Sequence, residues 1–353
     1  MIRDSLIARL MRSKRWIWAL FLGAKLLQAL GQDSYGTAQG YIGWIDQFEK
    51  KLNSAFSSNP PLEDTRDHLS AQLELMYLTF LTADIAPGYI RLQKAAPNFL
   101  HLVATDPTLY SEHPDGNLFV SLPRTLSVPR NELKRFLMYD TVTALVLGVP
   151  PLVEYGYDGE CDLASHGLEW IHGTPLTLVQ AVAQVNSWRA GSRVPLDDWE
   201  TLEGRVLAWE PGPIVPDDEE SGTGSVARLA VQESWRHAAL IYIYMGMCGV
   251  SSQDSRVQLS VRQIVQLGET VANLRIGIHL FPHYVIAGVG ARSERYRSLI
   301  RRKLLSFVDT RVWLFRGPQF SRVLDHLWHR MGPGGAPVMW DDYVRSRSAV
   351  IPI

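Results

Sequence analysis

The sequence predicts an all-α fold, a multi-helix array of packed amphipathic and buried helices. Three observations lead there. Apolar residues recur at i, i+3, i+4 and i+7 in most long stretches. Those stretches are bounded by capping residues, by proline at the start and by glycine at the end. No group of neighbouring segments alternates with period two, as a large sheet would require.

The N-terminal stretch is the first element. Arg3, Arg9, Arg12, Lys14 and Arg15 stand against Asp4, and an apolar run from Trp16 to Ala24 follows. With Ala29-Leu30-Gly31 behind it, this pattern could pass for a secretory signal. Lys25 interrupts the run, however, and the pattern continues amphipathically to Leu30. A packed helix is therefore expected, with Leu6, Leu10, Ile17 and Phe21 on one face and Trp16, Leu20 and Leu27 beside them.

The second helix is expected over 66–83, with Leu69, Leu73, Met76, Tyr77 and Phe80 on one side and Pro87-Gly88 as its end. A third spans 131–147. Its face carries Leu133, Phe136, Leu137, Asp140, Ala144 and Leu147, and Gly148 with Pro150-Pro151 stops it. Thr174 is the candidate N-cap of a helix over 175–189 that has Pro175 at its first position.

Residues 228–247 form the most apolar helix. Asp254 caps the next, along which Val257, Val261, Ile264, Val265 and Gly268 keep the helical period. A further helix covers about 291–308. Pro318 opens the last clear one, striped by Phe320, Val323, Leu324, Leu327 and Trp328. One domain over 1–353 is expected. Residues 210–225 (EPGPIVPDDEESGTGS) are read as an acidic, Pro/Gly-rich disordered loop inserted within it.

Composition narrows the function classes. The chain has 353 residues, 35 Lys+Arg against 36 Asp+Glu and a net charge of −1. That balance argues against a dedicated nucleic-acid binder. Only two cysteines occur, Cys161 and Cys248, so neither a cysteine zinc site nor a disulfide framework is implied. The longest apolar stretch after the N-terminal one, Ala238 to Val250, has 13 residues, short of the ~20 that a membrane span needs.

The chemical motifs are weak. Magnesium-dependent helical enzymes of isoprenoid type hold the metal with two aspartates and a third carboxylate three residues after the second. Asp197-Asp198 is followed at that point by Thr201, and Asp341-Asp342 by Arg345. Such an enzyme is kept as the alternative reading. His279 and His283 are four apart, but position 280 is not Glu and Pro282 lies between them. His326 and His329 have only Asp325 nearby. Gly288-Val289-Gly290 fits close helix–helix approach better than a phosphate cradle.

There is no nucleophile motif, and Cys248 reads as a small buried hydrophobe. Arg292, Arg295, Arg297, Arg301, Arg302 and Lys303 form a basic run that is expected to be a solvated face or to pair with the acidic loop. No catalytic, cofactor-binding or metal-binding residue is assigned, DNA-binding residues stay unknown, and no cofactor is expected.

Glu233 to Leu305 carries a recognisable order of blocks: ESWRHAALIYIYMGMCGVSSQDSRVQLSVRQIVQL, then GIHLFPHYVIAGVGARSERYRSLIRRKLL. Upstream lie NELKRFLMYDTVTALVLGVPPLVEY (131–155) and WIHGTPLTLVQAVAQVNSW (170–188). Together these resemble the fungal-specific transcription factor domain, the helical regulatory region that commonly follows a binuclear zinc cluster. The resemblance runs from about Trp16 to Trp328.

It implies a nuclear regulatory domain (with cytoplasm as the alternative) that acts through protein partners, self-association or an effector, and not as an enzyme or at a membrane. Trp235, Tyr242, Tyr244 and Trp313 would be core aromatics. The six cysteines of the zinc cluster have no counterpart here. DNA contact is therefore expected only through a partner or through a zinc cluster outside these residues.

Overall fold

The computed structural model describes residues 14–30, 35–54, 60–112, 116–159, 173–211, 222–271, 274–307 and 314–353. They form fourteen α-helices and one small sheet. In chain order the elements begin α1 (Lys14–Leu30), α2 (Tyr35–Ser54), α3 (Leu62–Thr82), α4 (Ile85–Ala104), β1 (Tyr110–Glu112) and β2 (Leu118–Ser121). Then come α5 (Leu122–Ser127), α6 (Asn131–Leu147), β3 (Tyr155–Gly156), α7 (Leu176–Arg189), α8 (Trp199–Ala208) and α9 (Gly222–Tyr242). The series closes with α10 (Ser255–Thr270), α11 (Phe281–Gly290), α12 (Glu294–Ser306), α13 (Gly317–His326) and α14 (Trp340–Val350). The expected all-α class holds. No helix among the described residues is long and apolar enough to cross a membrane.

The core has two parts, and α3 is the wall between them. Leu69, Leu73, Met76 and Phe80 enter the main core. Ala71, Leu75 and Leu78, on the opposite side, meet Ala19, Leu22 and Leu26 of α1 and Ile45 and Leu52 of α2. This corrects the face expected for α1. Ile17 and Phe21 are exposed, and Ala19, Leu22 and Leu26 are buried instead. Both sides of that helix are apolar, so periodicity alone cannot say which one meets protein.

Pro87-Gly88 does not end a helical region, as the sequence suggested; both residues lie in the first turn of α4. Proline costs little there, because first-turn N–H groups have no intrahelical acceptor. Gly88 sits against the ring of Phe80, which a Cβ would approach to 2.5 Å. α4 packs back along α3, and Phe99 stacks on Phe136 of α6 with ring centroids 4.3 Å apart.

α6 is the centre of the main core. Its observed ends, Asn131 and Leu147, match the sequence reading. Fifteen of its 17 residues are buried, so it is enclosed on all sides and is not amphipathic. Its C-terminal carbonyls lie far from water and need protein donors. Tyr343 of α14 donates its hydroxyl to the Val146 carbonyl, and Arg347 donates Nε to the Leu147 carbonyl at 2.6 Å.

A guanidinium at this end also suits the negative pole of the helix. Gly148 ends α6 in the left-handed region (φ 59°), where a Cβ would come within 2.9 Å of Val344. Both its backbone and its lack of a side chain are therefore used.

Three other expectations shift. Pro175, not Thr174, is the N-cap of α7, a one-residue difference at a helix end. Gly222–Ser225, placed in the loop by composition, already form the first turn of α9. The rest of that loop, from 212 to 221, lies outside the described residues, as do Cys161 and Trp313. α9 ends in a π-turn, Ile243–Met247. Trp235, Tyr242 and Tyr244 are buried as expected. Cys248 is only half-buried, and burial raises its thiol pKa to about 11.

The sheet was not expected. β1 pairs antiparallel with β2, and β2 pairs parallel with β3 through Val120 and Tyr155.

Replacing Arg347 with Met removes a buried, charged donor from the end of α6. It should lower the unfolding free energy by about 2–3 kcal/mol in a urea titration. A loss under about 0.5 kcal/mol would show that the Leu147 carbonyl is satisfied in some other way.

Candidate functional site

A cavity of about 720 Å³ opens between α7, α8 and the small sheet. That volume suits a drug-sized organic molecule. Each wall follows from local sequence. Over Leu176–Val185 the only polar residues of α7 are Thr177 and the glutamines Gln180 and Gln184, which lie one turn apart and are 7% and 1% exposed. Both line the cavity, together with Thr177, Leu178 and Ala181.

α8 supplies Leu202, Arg205, Val206 and Ala208, with Trp209 just beyond its end. Its N-terminus is fixed by Asp198, whose side chain accepts from the Thr201 amide at 2.8 Å. Hydrogen bonds from the Thr201 hydroxyl and then from its amide hold the Asp198 carboxyl below its ordinary range.

The third wall is Gly156–Gly159, where the chain leaves β3. It is positioned from α6. Asp140 is 2% exposed and accepts from the Leu152 amide (2.8 Å), the Val153 amide (3.3 Å) and the Tyr155 hydroxyl (2.9 Å). Burial pushes its carboxyl up to about 7, against the pull of those three donors.

Gly156 passes so close to Ser111 that a Cβ would stand 2.1 Å from the Ser111 hydroxyl. Next, Tyr157 donates to the Ala183 carbonyl at 2.8 Å and lies 2.8 Å from the Ser187 hydroxyl, which ties the wall to α7. Arg124 bridges the Tyr110 carbonyl (2.7 Å) and Asp158 (2.6 Å).

One polar network lies in the cavity lining. Gln184 donates Nε2 to Asp197 at 2.7 Å and accepts from the Asp197 amide at 2.9 Å. Asp197 also accepts from Nη1 and Nη2 of Arg205. Each partner is held by another, so this wall is preformed.

The residues singled out in the sequence fall mostly elsewhere. Asp197 lines the cavity, but as the partner of Gln184 and Arg205. Asp341 pairs with Arg189. Asp342 accepts from the Met339 amide at the start of α14 and pairs with Arg345. Among the described residues no three His, Cys, Asp or Glu side chains come together as metal ligands.

His279 lies in the 3₁₀ turn Arg275–Leu280 and His283 in α11, so the helix type changes between them. The His283 ring is fully buried, 4.5 Å from the Trp235 ring. Burial pushes His283 down to about 3, and burial with Arg228 nearby pushes His279 down to about 4. His326 Nδ1 lies 3.1 Å from the Ser346 hydroxyl.

Gly288 and Gly290 allow close helix contact, since Cβ atoms there would meet Leu324 at 2.4 Å and Val257 at 2.8 Å. The basic run is not uniformly solvated. Arg297 is buried, donates to the Ala291 carbonyl at 3.0 Å and lies over the Trp328 ring. Arg292, Arg295, Arg301 and Arg302 remain exposed.

Sequence reasoning missed the cavity. Its one available signal was a pair of glutamines a turn apart in the mostly apolar stretch 176–185.

A model of the fungal specific transcription factor domain matches residues 136–351, from α6 to the end of α14. Comparison with curated proteins and with solved structures gives no match.

Two outcomes follow from this geometry. Gln184→Leu leaves the Asp197 amide and carboxylate short of a partner and should cost about 1–3 kcal/mol in chemical denaturation; a neutral result would remove the network from the account. His283 is neutral when folded and has an ordinary pKa when unfolded. Its contribution to stability is present above pH 6.5 and is lost as pH falls toward 3. Wild type should thus lose about 1–2 kcal/mol more than His283→Leu between pH 6.5 and 5. Parallel pH profiles would contradict the buried neutral ring.

Proposed function

The chain belongs to the fungal specific transcription factor domain family, and on that premise we propose that it regulates transcription through other molecules and not through chemistry of its own. The molecules in question are protein partners, a second copy of the chain or an effector, and the place of action is the nucleus. The observation that carries the reading is the family match over 136–351, which includes most of the buried helix α6 and the helix α14 that closes it.

Two further points support it. Sequence-specific DNA recognition by a binuclear zinc cluster needs six cysteines, and these 353 residues hold two. The near-balanced charge offers little of the electrostatic attraction that non-specific DNA binding uses. DNA therefore reaches the complex through a partner or through a zinc cluster outside these residues.

The test is a transcription reporter. The full chain, joined to an unrelated DNA-binding module, should change reporter output several-fold relative to the module alone, in either direction, and the tagged chain should accumulate in nuclei. An unchanged reporter at matched protein levels would sink the proposal.

A further inference from the structure

We propose that residues 149–154 form a proton-controlled strap, which lies closed over Asp140 while that side chain holds a proton and opens as the proton is lost. The inference goes beyond the regulatory reading and does not depend on it, because it is measured on the purified chain.

The strap joins α6 to β3 and contains neither helix nor strand. Val153 is its only buried residue, and Pro150 and Glu154 are exposed. Pro150 and Pro151 have no amide proton to donate. The strap is tied inward by Asp140, which takes the Leu152 and Val153 amides and, just beyond, the Tyr155 hydroxyl. Its outer tie is Glu154, which accepts from the Ser192 hydroxyl at 2.6 Å and the Arg193 amide at 3.2 Å.

Beneath the strap Asp140 is 2% exposed, and among the described residues no cation pairs with it. The ionisable groups that feel its charge are phenols: Tyr89 of α4, Tyr155 of β3 and Tyr157. Farther out, Arg347 of α14 lies near Tyr89, but its guanidinium donates to the Leu147 and Ile351 carbonyls. Tyr242 of α9 lies near Tyr157. α3 sends Glu74 to Arg135, and α11 sets His283 against Trp235. α7 offers the uncharged Asn186 and Ser187 to the Thr141 carbonyl and Tyr157.

A carboxyl buried without a cation favours its neutral form. Burial outweighs the three donors and sets the titration of Asp140 at about 7. The neutral acid also fits the closed geometry. Oδ1 goes on accepting from the Leu152 amide, and Oδ2, 2.9 Å from the Tyr155 oxygen, can donate to it.

Opening the strap hydrates Asp140 and returns it to an ordinary carboxyl. The closed form therefore holds the proton more tightly. Its advantage is complete below the ordinary carboxylate range and is lost as pH rises toward 7. Above 7 both forms are ionised and little more is lost. The strap leads into the Gly156–Gly159 wall, so the proton also sets how firmly that wall of the cavity is held.

The test is hydrogen exchange at the Leu152, Val153 and Tyr155 amides of the full chain from pH 5.5 to 8, each rate divided by its intrinsic chemical rate. Opening should rise about fivefold between pH 6 and 7 and only about twofold between 7 and 8. Asp140→Asn keeps the size of the side chain but cannot ionise, and should flatten the profile. In wild type the Asp140 carboxyl carbon, followed by NMR, should titrate near 7, a readout that stands even where the variant does not fold. Titration of that carbon at about 4, opening that does not rise with pH, or a folded Asp140→Asn with the wild-type profile would each overturn the proposal.

Discussion

The C-terminal end of α6 is the constraint on which the rest of the structure depends. A helix buried on every side gains a large apolar contact, but its last carbonyls are cut off from water. The chain answers from two hundred residues later: Tyr343 and Arg347 of α14 reach the Val146 and Leu147 carbonyls. Gly148 lets the chain leave α6 under Val344. About two turns earlier on the same helix, Asp140 gathers the Leu152 and Val153 amides and the Tyr155 hydroxyl. The exit from α6 is thus fixed on both sides, and that exit runs through β3 into the Gly156–Gly159 wall of the cavity.

The same arrangement relates the family match to the whole chain. The match begins within α6 and ends after α14, so it contains the C-terminal part of the helix and its clasp. The preceding helices are not appended to a finished core. Leu69, Leu73, Met76 and Phe80 of α3 and Phe99 of α4 belong to the main core. Phe80 meets Phe315, and Phe281 and Phe320 complete that aromatic group. α1 and α2 form a second, smaller layer on the far side of α3.

Local signals were legible where local physics decides the structure. α6 was readable to the residue because its apolar run ends at Gly148. α10 was readable because Asp254 caps it, accepting from the Arg256 amide. Distant contacts hid the rest. Pro87-Gly88 resembles a helix stop until Phe80 is seen against Gly88. α14 is short and polar, and its support comes from packing on α13 and on Tyr242 as well as from its bonds to α6.

The strands have two to four residues, too few to display alternation. Asp140 was placed correctly on α6, but its partners come from the following loop, which no helical period reveals. At the cavity, Asp197 stood out as half of a possible metal motif. Its actual role depends on Gln184, whose burial on α7 the apolar pattern concealed.

The central claim is that the clasp on α6 holds the cavity wall in place. Hydrogen exchange on Arg347→Met, compared with wild type under conditions where both are folded, tests it most directly. The account predicts faster exchange in α14, in the last turn of α6 and onward through Leu152, Val153 and Tyr155 to Gly159. Faster exchange confined to α14, with residues 144–159 protected as in wild type, would contradict it.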